Sequence, residues 1–288
     1  MCVGEVGSVN LGLKVMGTVG NPGKLDVAAI NAALVGTRFA GKVRHFATVG
    51  STNAMLLEEA AAGAAEGTVF VADEQTAGRG RGGHSWHSTP GDGLYVSVLA
   101  KPGLPLRETL WISLATGLAV QSAIRPVTGV AVDIRWPNDL LLGGRKCGGI
   151  LVETAVEPER SALLRYAVIG IGVNVNHARF PEELTTLATS LRMESGAAQS
   201  RSALLVALLR ALDRELLLLE EAHAQGGGTL LERFALASSW VSGKRVSVPE
   251  QGGYTGVTAG LDAQGFLRVA GDDGVLRTVL SGGVREAE

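Results

Sequence analysis

The chain has 288 residues, 46% of them hydrophobic, and a formal net charge of −2. That length and apolar content suit one large domain or two unequal ones with a sizeable core. The slightly acidic balance excludes a surface that binds nucleic acid chiefly through counterion release. Two cysteines, Cys2 and Cys147, without a C-x-x-C and without histidines at metal-ligand spacing, exclude a disulfide scaffold and a structural zinc site.

Residues 1–23 are rich in glycine and valine without a clear period, and read as a loosely ordered extension. No apolar run reaches the roughly 18 residues of a membrane helix. No basic start leads into a hydrophobic segment, so a cytoplasmic protein is expected. Asp26 caps a short helix to residue 34, with Val27, Ile30, Ala33 and Leu34 on one side. A winged-helix or helix-turn-helix module needs about three helices. None follows before Arg44, so no DNA-binding domain is expected.

Residues 44–48 look extended, and S-T-N-A-M-L-L-E-E-A-A-A from Ser51 is a helical pattern closed by Gly63. Strands are expected at 68–73 and 94–101, an apolar helix at 110–124, and short strands at 130–136 and 140–142 around W-P-N-D. Gly143-Gly144 is a two-residue hairpin signal. Two more strands (150–154 and 165–175) and a leucine-faced helix (202–220) complete this part. From Ser239 short strand-like runs at 245–249, 254–261, 266–270 and 275–280 alternate with the turn clusters E-Q-G-G, D-A-Q-G and G-D-D-G. That texture predicts a small β-barrel. The fold class expected is therefore α+β, divided into an extension (1–43), a mixed domain (44–237) and a barrel (238–288).

Between the strands at 68–73 and 94–101 lies T-A-G-R-G-R-G-G-H-S-W-H-S, residues 76–88. Gly78, Gly80 and Gly83 satisfy G-x-G-x-x-G, but Pro90, Gly91 and Gly93 deny the helix that a dinucleotide site requires. An RGG patch belongs in a repetitive tail, and this run sits unrepeated inside a globular pattern. A ligand-covering loop fits better. Its glycines let backbone N–H groups approach an anion, Arg79 and Arg81 can fork onto phosphate or carboxylate, and Trp86 offers a flat apolar face. The plain alternative is a surface loop with Trp86 tucked into the core.

Three further segments carry chemistry. R-W-P-N-D (135–139) puts Asn138 and Asp139 after a stiff turn. R-K-C-G-G-I-L-V-E (145–153) sets Lys146 beside Gly148 and Gly149, which read as opening a strand. G-I-G-V-N-V-N (170–176) ends a strand in Asn174 and Asn176, two residues apart and so expected on one side of the sheet. Cys147 reads as a small residue filling a strand position and not as a nucleophile.

The ordered set S-T-N, Q-T-A-G-R-G-R, W-P-N-D, R-K-x-x-G-I-L and G-x-N-x-N, from residue 43 to the C-terminus, resembles the biotin–protein ligases, in their short form without a repressor domain. The resemblance implies a class II aminoacyl-tRNA-synthetase-like catalytic domain and an SH3-like C-terminal barrel. It implies that biotin and ATP give biotinyl-AMP, with Mg²⁺ on the phosphates, and that biotin then passes to a lysine of a biotin carboxyl carrier domain. Some members pair as homodimers. The implied catalytic residues are Lys146, Arg79 and Arg81. Biotin is implied at Ser51, Thr52, Asn53, Gln75, Gly78, Arg79, Gly80, Arg81, Trp86, Lys146 and Gly149. The adenylate is implied at Arg79, Arg81, Trp86, Asn138, Lys146, Asn174 and Asn176, and Asp139 is the candidate for placing metal or lysine. Closure of the glycine loop would shield the mixed anhydride from water. One departure is that several members carry G-R-G-R-R-G-R, where this chain has Gly82 and His84. Lipoate or octanoate enzymes of the same superfamily lack the G-R-G-R loop. A biotin-responsive repressor needs N-terminal helices, and a non-catalytic biotin binder would not need Lys146 and both arginines.

Overall fold

The computed structural model describes residues 23–157, 159, 162–184, 187–249 and 252–287. The expectation for residues 1–22, and the Glu250-Gln251 half of the E-Q-G-G turn, lie outside them. Seven strands form the larger sheet: β1 Val43–Val49, β2 Val69–Gln75, β3 Gly93–Ala100, β4 Asp133–Arg135, β5 Asp139–Leu142, β6 Arg145–Val156 and β7 Leu164–Asn174. Their order is β1-β2-β3-β7-β6-β5-β4. The β1–β2 pair is parallel and every other pair is antiparallel.

Helices cover both faces. On one face lie α3 Thr109–Thr128 and α5 Arg201–Ala224; on the other lies α2 Thr52–Ala61. Side chains alternate along a strand. Val96, Val98, Ile169 and Ile171 therefore join the main core, while Leu99, Val168 and Phe70 pack with Leu56 beneath α2. Each such buried side chain contributes about 1.5–3 kcal/mol. The first helix, α1 Val27–Ala33, is capped by Asp26, whose carboxylate accepts from Ala29 N at 3.0 Å. Leu25, Ile30, Leu34 and Phe39 are buried in the main core, so this segment packs with the domain that follows it. Two shorter helices, α4 Leu191–Ser195 and α6 Gly228–Ala237, complete the helical set described here.

The C-terminal part is a five-stranded antiparallel sheet of β8 Ser242–Val248, β9 Tyr254–Leu261, β10 Leu267–Gly271, β11 Leu276–Val279 and β12 Arg285–Glu286, ordered β11-β10-β9-β8-β12. Its attachment to the larger sheet is specific. Trp136 Nε1 donates to Gly265 O at 2.9 Å, Ser238 Oγ donates to Ile134 O at 2.5 Å, and the Arg135 guanidinium lies 5.5 Å from the Trp240 ring centre.

Several boundaries differ from expectation, each for a local reason. β6 begins at Arg145 and runs to Val156, so Lys146, Gly148 and Gly149 lie inside a strand and do not precede one. The strand expected at 130–136 is confined to Asp133–Arg135, and the Trp136–Pro137 turn closes its C-terminal end. α3 runs to Thr128, tolerating Pro126 in its last turn. α6 was invisible in the sequence because it starts from Gly227 in the left-handed region, with no side-chain cap. Asn174 ends β7, and Asn176 lies beyond the strand. Gly143 and Gly144 both have positive φ (55° and 78°), as the hairpin expectation requires. Among the described residues no helix is long and apolar enough to cross a membrane.

Arg201, wholly buried at the start of α5, ties that helix to β2: its Nη1 lies 2.7 Å from Asp73 Oδ1 and 2.6 Å from Gly23 O. Arg201→Leu is expected to lower the unfolding free energy by about 2–3 kcal/mol, since it strands these acceptors. A urea titration checks this, and an unchanged midpoint would refute it.

Candidate active site

The site begins with what the α2 face of the sheet lacks. Ser97, Gly170 and Leu151 are register partners across β3, β7 and β6; Tyr95, Gly172 and Gly149 form the next such row. Partners in register share a face, so both rows look toward α2. A Cβ on Gly170 would lie 2.4 Å from Asn53 Oδ1, and one on Gly172 would lie 2.7 Å from Trp86 Cε2. Both contacts are too close for any side chain. The missing Cβ atoms form a recess that receives one residue from α2 and one from the glycine loop.

Above this floor stands the start of α2. Ser51 is its N-cap, accepting from Ala54 N at 3.4 Å, so the positive end of the helix faces the recess. Thr52 donates twice to Gln75 Oε1, from its backbone N at 2.8 Å and from its hydroxyl at 3.0 Å. Ser97 Oγ lies 2.8 Å from Thr52 Oγ1 and donates to Asn53 Oδ1 at 2.5 Å. Asn53 Nδ2 donates to Glu153 Oε2 at 2.9 Å and to Leu151 O at 3.3 Å.

The glycine loop is folded as a narrow hairpin. Trp86 N donates to Gly78 O at 2.9 Å and Gly80 N to His84 O at 2.7 Å, with Gly82 and Gly83 turning the tip at φ 64° and 79°. The indole of Trp86 rests on Gly149 and Gly172, and its buried Nε1 has no hydrogen-bond partner among the described residues. Arg81 Nη1 donates to Asn138 Oδ1 at 3.2 Å and to Gly282 O of the C-terminal sheet at 2.8 Å. Arg79 is exposed at the rim. Together these parts form an open cavity, lined among others by Ser51, Gln75, Arg79, Arg81, Trp86 and Lys146.

Lys146 projects from β6 at the edge of this cavity. Its Nζ is 2.5 Å from Asp139 Oδ1 and 5.6 Å from the Trp86 ring centre. Asp139 Oδ2 is held by Arg135 Nη2 at 2.6 Å. Burial works to raise the Asp139 carboxyl, but Lys146 and Arg135 outweigh it and hold it below the usual carboxylate range. Two cations sharing one carboxylate leave one net positive charge beside the cavity. The metal role considered for Asp139 does not fit this arrangement, because its carboxylate already serves two cations. Among the described residues no three His, Cys, Asp or Glu side chains gather to hold a metal. Cys147 is fully buried, and burial pushes its thiol up to about 12, which removes it as a nucleophile.

The structure brings together Ser51, Thr52, Asn53, Gln75, Arg79, Gly80, Arg81, Trp86, Asn138, Lys146 and Gly149 around the one cavity, with buried Gly78 directly behind Gln75 and Trp86. Asn174 and Asn176 are placed elsewhere. Asn174 Nδ2 donates to Thr189 O at 3.0 Å, and Asn176 Nδ2 donates to Gln199 O at 3.0 Å while its Oδ1 accepts from Gln199 N at 2.8 Å. Both are buried clamps on the segment that also holds Lys146 N against Leu187 O, and neither lines the cavity. Sequence reasoning missed Ser97, Glu153, Gly170 and Gly172. The available signals were a lone serine in the apolar run L-Y-V-S-V-L and glycines at a period of two in G-I-G.

Gly172→Ala is expected to push the Trp86 indole off its seat. The other three tryptophans are 2–4% exposed, so the added red-shifted fluorescence would come from Trp86. An emission spectrum identical to that of the unsubstituted protein would refute the seating.

Comparison with known proteins is consistent with this geometry. The model for the biotin/lipoate A/B protein ligase family matches residues 46–174, and that for the biotin protein ligase C terminal domain matches residues 241–284. The chain is 38% identical over 228 residues to the biotin–[acetyl-CoA-carboxylase] ligase of Mycobacterium tuberculosis, covering 77% of this chain and 80% of that protein. It is 33% identical over 267 residues to the bifunctional ligase/repressor BirA of Bacillus spizizenii, covering 88% and 77%. The biotin protein ligase of Aquifex aeolicus, solved with biotin and ATP, superposes with a TM-score of 0.73 at 28% identity, over 86% of this chain and all of that one. With the paired-glycine floor, the capped S-T-N turn and the loop arginines on one cavity, the chain belongs to the biotin protein ligase family.

Proposed function

We propose that this protein activates biotin with ATP as biotinyl-AMP, releasing pyrophosphate, and transfers the biotinyl group to a lysine of a biotin carboxyl carrier domain. The observation that carries this reading is the division of the cavity into two chemistries. One part presents Ser51 and the Gln75 amide beside the α2 N-terminus; Lys146 stands beside Trp86, Arg81 is held on Asn138, and Arg79 is exposed at the rim. The first part suits a ureido ring, which needs donors and an acceptor in an otherwise apolar recess. The cations suit the meeting of a carboxylate with an α-phosphate, where preorganised positive charge offsets the repulsion of two anions.

In this reading the biotin carboxylate oxygen attacks the α-phosphorus while Lys146 and the loop arginines hold the developing charge. Magnesium would arrive with the nucleotide as part of the substrate, carried by its phosphates. The carrier ε-amine then attacks the anhydride carbonyl and AMP leaves. The glycine hairpin keeps water from the anhydride until that step. The class II synthetase-like description of the larger domain and the SH3-like closure of the C-terminal one belong to the same reading. They draw support from the helix-backed mixed sheet and from the register shifts that bend β8, β9 and β10. A lipoate or octanoate substrate fits less well, since its alkyl or dithiolane end would leave the hydrogen-bonding groups at Ser51 and Gln75 unpaired.

The full chain with ATP, Mg²⁺ and biotin is expected to label a biotin carboxyl-carrier domain on a streptavidin blot. No labelling would overturn the ligase reading, and labelling with octanoate instead would favour the rival. Lys146→Ala is expected to lower biotin-dependent ATP–pyrophosphate exchange by about 100-fold or more. Near-normal exchange would remove Lys146 from the reacting centre.

A further inference from the structure

We propose that Glu194 is a positioning residue for Lys146: it fastens a short segment, residues 187–189, against a bulge in β6 and so keeps the lysine turned to the cavity. This rests on the reading above that Lys146 serves the attack of biotin on ATP.

Lys146 and Gly149 line the same cavity although an unbroken strand repeats a face only at even spacings. The register of β5 with β6 accounts for this. Asp139 pairs with Gly149, Leu140 with Gly148 and Leu141 with Lys146, so Cys147 is an extra residue that β5 does not match. Asp139 and Leu141 are two residues apart and share a face, and their partners share it with them. Lys146 and Gly149 are therefore brought to one side, where a Cβ on Gly149 would lie 3.3 Å from Lys146 Cε. Cys147 is buried in the main core instead. If β6 paired residue for residue, Leu141 would meet Cys147 and Leu142 would meet Lys146. The lysine would then turn away from the cavity and from Asp139.

The bulged register is held from the other side of β6. At this end β7 pairs with β6 only as far as Gly148, opposite Val173. Beyond it the segment 187–189 takes the place of β7. Lys146 N donates to Leu187 O at 2.8 Å, and Thr189 N donates to Lys146 O at 2.9 Å. Along a strand the side chain and the peptide groups of a residue change sides together. A slip that turned Lys146 to the other face would point its N–H and C=O at β5 and break both bonds. The segment is fastened in turn by Glu194 of α4. Glu194 Oε1 accepts from Thr189 Oγ1 at 2.5 Å and from Arg145 Nη2 at 2.7 Å, and a carboxylate only accepts, so both donors are fixed. One carboxylate thus ties the residue beside Lys146 to the residue that bonds Lys146 O. Glu194 does not line the cavity and acts only through these neighbours.

The test is steady-state ATP–pyrophosphate exchange on the full chain. Glu194→Ala is expected to lower kcat about tenfold or more, with the biotin KM within about twofold, because the groups at Ser51 and Gln75 stay in place. Glu194→Gln, which keeps an acceptor at the same reach, should recover most of the kcat. A second readout follows the register itself. In a Cys2→Ser background without denaturant, Cys147 should resist maleimide in the parent protein and in Glu194→Gln, and react in Glu194→Ala as the bulge relaxes. A loss of stability alone would lower the urea midpoint without this labelling. If Glu194→Ala does not fold, Thr189→Val against Thr189→Ser decides: the first removes the hydroxyl and should lower kcat, and the second keeps it and should not. An unchanged kcat in Glu194→Ala, an equal loss in Glu194→Gln, no added labelling of Cys147, or no difference between the Thr189 variants would overturn the role of Glu194. Absence of biotin-dependent exchange in the unsubstituted protein would instead overturn the functional reading.

Discussion

The closeness of two residues to the sheet sets everything else in this site. Asn53 and Trp86 rest where a side chain on Gly170 or Gly172 would stand, at 2.4 and 2.7 Å from the Cβ positions those glycines lack. A glycine inside a strand weakens the strand, because it supplies no side chain to pack and loses more entropy on ordering. Here the loss is offset on both sides. β7 lies in the middle of its sheet, flanked by β3 and β6 along most of its length, and its opposite face is filled by Ile169, Ile171 and Val173. A central, well-backed strand can therefore carry a bare patch on one face, and that patch is the cavity floor.

Around that floor the charged groups are held by one another before any ligand arrives. Asp139 draws Lys146 and Arg135 to its two oxygens, and Arg135 in turn lies over Trp240 at the start of the C-terminal sheet. Arg81 reaches across to Gly282, between β11 and β12, and to Asn138, whose own amide N–H holds Ile150 O at 2.8 Å. The C-terminal sheet thus supports two separate cations of the site. A preorganised cation needs little rearrangement when charge develops near it, which is the condition under which electrostatic stabilisation is effective. It also explains why the C-terminal sheet is attached by buried bonds from Trp136 and Ser238 and not by a loose linker.

Much of this was legible in the sequence, and the limits of that legibility are physical. Residue types that serve chemistry or turns stand out singly. The capped S-T-N and the Gly143-Gly144 hairpin kept their expected places, and Arg79, Arg81 and Lys146 line one cavity. Relations across strands did not stand out. The period of two between Asn174 and Asn176 predicted a shared face, but the strand stops at Asn174 and both amides clamp backbone instead. Asp139 read as a metal candidate because its charge was visible, while the two cations that claim it lie on the neighbouring strands, Arg135 on β4 and Lys146 on β6. Ser97 and Glu153 passed unnoticed because register, not spacing, brings them to Asn53.

The loop tip shows a balance between conformation and charge. Gly82 has φ 64°, and a residue with a Cβ there pays roughly 1–2 kcal/mol for the left-handed region. An arginine at that place would add a cation but strain a turn that Gly82 and Gly83 make without cost in sterics. The hairpin bonds between Gly78 and Trp86 and between Gly80 and His84 keep the loop narrow, and that narrowness seats the indole on the glycine floor. A looser tip with more arginines would hold an anion by charge. This tip holds its tryptophan by geometry, and in the proposed reaction the neutralisation of an anionic pair would fall to Arg79, Arg81 and Lys146.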